Sequence, residues 1–66
     1  MQLTVNGETR SFADVTHVAA LVAALGLDTR KVAVERNLEI VPRSTLAEAI
    51  VEDGDDFEIV TFVGGG

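Results

Sequence analysis

Three consecutive glycines, Gly64-Gly65-Gly66, close the sequence, and they are the residues whose type most needs a chemical reason. Glycine loses more backbone freedom on ordering than any other residue and buries nothing, so a run of it has no use in a core. Two readings stand. One is a frayed end; the other is a thin end that threads a narrow channel and presents its α-carboxylate to a reacting group. On the second reading the working atom is the Gly66 carboxyl carbon. A terminal carboxylate, with a pKa of about 3.5, is ionised at neutral pH. It is a poor electrophile until it is converted to a mixed anhydride such as an acyl-adenylate. Once activated it accepts a nucleophile: sulfide or a persulfide gives a thiocarboxylate, and an amine gives an isopeptide bond.

The rest of the composition supplies no competing chemistry. There is no cysteine, hence no disulfide framework and no thiolate metal site, and His17 by itself makes no metal cluster. A sulfur carrier without a thiol can hold its cargo only at the chain end. Glu48, Glu52, Asp53, Asp55, Asp56 and Glu58 concentrate carboxylates late in the chain; they read as a solvated turn, with partner steering as the alternative. Asp53-Gly54-Asp55-Asp56 lacks the ligand spacing of a calcium loop, so no metal is expected. Arg36 and Arg43 are able to pair with a partner, but exposed arginines are common. Eleven acidic against five basic residues give a net charge of −6, which opposes nucleic acid and anionic membrane surfaces. No apolar run approaches the ~20 residues that span a bilayer, and the start Met-Gln-Leu-Thr-Val is unlike a signal peptide, so a cytoplasmic location is expected. No nucleophile and base can be assembled into a hydrolytic or redox centre, and the chain is read as a non-enzyme.

The elements that must position the glycines follow from periodicity. Met1, Leu3 and Val5 alternate with polar residues as in a half-buried strand. Asn6-Gly7 supplies the two positive-φ positions of a type I′ turn, so residues 8–12 should return antiparallel with Phe12 opposite Met1. That register sets Glu8 and Arg10 on the core side, tolerable only at a rim. Val18, Leu21, Val22 and Leu25 form the stripe of an amphipathic helix, with Thr16 as N-cap, His17 at the surface one residue inside, and Gly26-Leu27 as a Schellman ending. Val32-Ala33-Val34 reads as an inner strand, and Ile40-Val41, closed by Pro42, as an edge. Thr45 and Glu48 have capping-box spacing for a short second helix or helical turn. After the Asp53-Gly54 turn, Phe57 to Val63 reads as the last strand.

The order ββαββ(α)β indicates an α+β domain, a mixed sheet of four to five strands curled around one main helix, with the first and last strands adjacent. One domain over residues 1–63 and a flexible tail over Gly64, Gly65 and Gly66 is the expected division. If Phe57 and Ile59 face the helix, Val60 and Phe62 face away. Unless a twist or bulge buries Phe62, they form an apolar patch beside the tail that seats a partner.

In this order along the whole chain, the Asn6-Gly7 hairpin, Val32-Ala33-Val34-Glu35-Arg36-Asn37, Ile40-Val41-Pro42-Arg43, Asp53-Gly54-Asp55 and the terminal Gly65-Gly66 resemble the ThiS family, the small sulfur carriers of thiamin thiazole biosynthesis. The resemblance implies a ubiquitin-like β-grasp fold. It further implies that an E1-like, ThiF-type adenylyltransferase activates Gly66 with ATP, and that a sulfur donor such as a cysteine desulfurase supplies sulfur for the thiocarboxylate. A ThiG-type thiazole synthase then takes the sulfur. The carrier needs no cofactor of its own, since the ATP is used by the activating partner. A diglycine end is also shared by the small subunit of molybdopterin synthase and by ubiquitin-like modifiers. From a different class, an inert β-grasp interaction module remains open.

Overall fold

The computed structural model describes residues 1–62; Val63 and the expected tail, Gly64, Gly65 and Gly66, lie outside the described residues. Asn6 and Gly7 take φ of 50° and 83° and fold β1 (Gln2–Val5) onto β2 (Glu8–Ser11) in the register Leu3↔Arg10 and Val5↔Glu8. Phe12 N–H donates to Met1 O at 2.8 Å, the pairing that the Asn-Gly turn predicts. Glu8 and Arg10 are exposed, at the rim as their polarity requires.

The helix α1 (Val18–Ala24) has only seven residues, too few to persist alone, so tertiary contacts must hold it. Val18, Leu21 and Val22 are fully buried. Its C-terminus is the Schellman ending read from the sequence: Gly26 has φ 76°, Gly26 N–H donates to Ala23 O, and Leu27 N–H donates to Val22 O. The N-terminus differs from expectation. The cap is His17, not Thr16; His17 Nδ1 accepts from Ala20 N–H at 3.2 Å. The carbonyls of Ala49 and Leu46 accept from the Val18 and Ala19 N–H groups at 2.9 and 2.8 Å. Distant loop backbone thus satisfies the donors that a local side chain usually takes.

After a 3-10 turn at Thr29–Lys31, β3 (Val32–Arg36) and β4 (Glu39–Val41) form a second hairpin, and β5 (Asp56–Thr61) completes the sheet. The strand order is β2-β1-β5-β3-β4, with β1 and β5 parallel at the centre and β3 antiparallel to β5. This is the α+β arrangement expected, with five strands. Leu3, Val5, Val32, Val34, Phe57 and Ile59 point from the sheet onto α1, and Val15, Leu46 and Val51 close the core from the loops. Of the two forms expected for the second helical segment, a short helix or a helical turn, the structure has the turn, a 3-10 turn at Arg43–Thr45. Thr45 Oγ1 donates to Pro42 O at 2.8 Å instead of capping a helix.

Candidate functional site

The sequence residues singled out for partner contact lie on β5 and just beyond it. Ala33 pairs with Val60 and Val32 with Thr61, and Phe62 N–H donates to Lys31 O at 2.8 Å, so the strand keeps its parity to the last described residue. Phe57 and Ile59 are therefore buried, while Val60 and Phe62 stand 60% and 53% exposed on the face away from α1. No twist or bulge turns Phe62 inward. The pairing Glu35↔Ile40 adds Ile40, 77% exposed, to the same outer face. The Arg43 guanidinium lies 6.0 Å from the centre of the Phe62 ring, within cation–π range. Ile40 escapes a reading of the sequence, and so does the position of Arg43, named there only as an exposed arginine able to pair with a partner, because only the tertiary structure brings β4 back beside β3 and Arg43 to Phe62.

At the other end of β5 the expected solvated turn is partly wrong. Asp55 is only 7% exposed. Its Oδ2 accepts from Arg36 Nε at 2.7 Å and from Glu52 N–H at 2.8 Å, and its Oδ1 accepts from Asn37 Nδ2 at 3.0 Å. Burial works to raise the Asp55 pKa, but the Arg36, Asn37 and Glu52 hydrogen bonds, with the Arg36 charge, outweigh it and hold the carboxyl below the usual range. The same hydrogen bond raises the Arg36 pKa. Asp55 and Arg36 thus brace the start of β5 and have no free chemistry to offer. The remaining acids, Glu48, Glu52, Asp53, Asp56 and Glu58, are exposed.

On the helix side an open groove of about 270 Å³ runs between Val5, Asn6, Leu25, Leu27 and Ile59, with Glu8 and Arg10 at its lip. It holds no hydroxyl or thiol paired with a base. Among the described residues no group of three or more His, Asp or Glu could hold a metal ion, and no helix is long and apolar enough to cross a membrane. His17 is engaged as a helix cap. What the molecule presents is an apolar face on β5, the strand that precedes the glycines in sequence.

Residues 3–66 match the model of the ThiS family. The whole chain is 59% identical to part of a thiazole synthase of Paramagnetospirillum magneticum and spans about a fifth of that protein's length. It is 42% identical over 53 residues to the sulfur carrier protein ThiS of Bacillus subtilis, 80% of each chain being covered. The crystal structure of a thiamine biosynthesis protein (ThiS) from Geobacter metallireducens superposes with a TM-score of 0.83 at 38% identity, and the match covers both chains completely.

Proposed function

The chain belongs to the ThiS family, and from that premise we propose that it is a sulfur carrier of thiamine biosynthesis whose reactive group is the Gly66 carboxylate. The carboxylate attacks the α-phosphorus of ATP on a ThiF-type adenylyltransferase, releasing pyrophosphate and forming an acyl-adenylate. A sulfide equivalent from a sulfur donor displaces AMP to leave the thiocarboxylate, and a thiazole synthase takes up the sulfur. The chain is a co-substrate, and the catalytic groups belong to its partners. Val60 and Phe62 seat the activating enzyme, and Gly64 and Gly65 fit the narrow approach to its active site because they lack side chains.

The observation that carries this reading is that the family match extends through the glycines, which follow in sequence a strand whose outward residues stay uncovered. Likeness to a thiazole synthase favours the thiazole route over molybdopterin synthesis or protein conjugation. Incubation with a ThiF-type adenylyltransferase, ATP and a sulfur donor is expected to add the mass difference of one sulfur replacing one oxygen. Deleting Gly66 abolishes that gain and leaves the melting temperature unchanged, since the described core lies between Leu3 and Ile59. An unchanged mass under conditions that thiolate an established carrier overturns the proposal. So does natural protein that continues past Gly66 and is never trimmed.

A further inference from the structure

The outer face of the sheet carries two charge poles that folding does not explain. Near Phe62 stand Lys31, whose carbonyl accepts from Phe62 N–H, and Arg43, over the Phe62 ring. Both are exposed. Toward the other end Glu35 and Glu58 sit directly opposite each other on β3 and β5, also exposed. Like charges in directly opposed cross-strand positions destabilise a sheet. Three ion pairs occur among the described residues, Arg30–Asp28, Arg36–Glu52 and Arg36–Asp55, and none engages Lys31, Arg43, Glu35 or Glu58. The poles are separated by Val60 and Ala33 and, at four residue steps from Glu58 to Phe62, lie roughly 13 Å apart. That exceeds the ~8 Å screening length of physiological salt, so each pole acts locally.

We propose that this polarity orients the docked carrier: the face fits a folded protein surface with an apolar socket for Val60 and Phe62, carboxylates bordering it on the Lys31 and Arg43 side, and cations facing Glu35 and Glu58. The inference rests on the reading of Val60 and Phe62 as the docking face. Docked the other way round, the same apolar contact sets like charge against like at both poles. The arrangement therefore selects the one orientation that delivers the strand end, and with it Gly66, to the partner's active site.

The test measures the Kd of the full chain for a ThiF-type adenylyltransferase by calorimetry at low and physiological salt, with melting temperatures alongside. Arg43→Glu and Lys31→Glu are each expected to raise Kd about tenfold at low salt and to flatten its salt dependence. Arg10→Glu, the same charge change on the opposite side of the sheet, alters Kd less than about twofold. Glu58→Lys replaces a repelling pair with an attracting one, so it raises the melting temperature while weakening binding. Equal effects of Arg10→Glu and Arg43→Glu overturn the proposal in favour of net charge alone, as does a Glu58→Lys variant that binds as well as the parent. If Phe62→Ala abolishes binding while the charge variants leave it intact, orientation by charge is wrong and the docking face stands. If Phe62→Ala also leaves binding intact, the docking face itself is wrong and the inference falls with it.

Discussion

The side chain of Asn6 pairs with both backbone groups of Ile59: Oδ1 accepts from Ile59 N–H at 2.8 Å and Nδ2 donates to Ile59 O at 3.1 Å. Asn6 N–H already donates to Phe57 O at 2.9 Å. The amide therefore stands in for the next residue of β1 just where the backbone, at φ 50°, turns away toward β2. One asparagine makes the hairpin turn and adds a rung to the central parallel pair, which holds β5 on course toward Phe62.

Asn6→Gly separates those two roles. Glycine keeps the positive φ but removes both bonds to Ile59, so the variant should lose about 1–2 kcal/mol in urea denaturation. Asn6→Asp, which cannot donate to Ile59 O, should lose at least as much at neutral pH. A glycine variant as stable as the parent would show that the turn conformation alone matters.

Asp55 makes stability depend on acid. Its folded pKa lies below the ordinary value of about 3.9, so its contribution is complete above that value and disappears as pH falls through the folded one. Asp55→Asn should cost about 1–3 kcal/mol at pH 7, since it leaves Arg36 without its charged acceptor. The gap between parent and variant melting temperatures should narrow as the solution is taken from pH 7 down through the folded pKa. A gap that stays constant over that range would mean that the carboxylate charge contributes nothing.

Leu38 is 86% exposed with φ 72°, a conformation that costs a residue with a Cβ about 1–2 kcal/mol. It occupies the second position of the Asn37-Leu38 turn, where the first hairpin has Gly7. Leu38→Gly should raise stability by about 0.5–1 kcal/mol, the relief being partly offset by glycine's freedom in the unfolded chain. An unchanged or lower melting temperature would place an unrecognised contact at this side chain.

What the sequence determined by itself depends on neighbours a few residues away. Alternation buried Leu3 and Val5, the Asn6-Gly7 pair set the first hairpin, Gly26-Leu27 ended α1, and the parity of β5 put Phe57 and Ile59 inside and Val60 and Phe62 outside. These follow from side-chain direction and from conformations that favour glycine or asparagine, which are local properties. Tertiary structure decided what depends on partners far along the chain. Thr16 had the right hydroxyl for a cap, yet His17 took the position because the loop carrying Leu46, Ala49 and Ile50 packs against the helix start, with Ile50 bridged to His17. Asp55 looked like one more solvated acid until β3 brought Arg36 and Asn37 across to it, nineteen and eighteen residues away in sequence. The opposition of Glu35 to Glu58 and the approach of Arg43 to Phe62 were hidden for the same reason. Strand register is fixed by how the whole apolar set packs on α1, and no window of neighbouring residues contains that information.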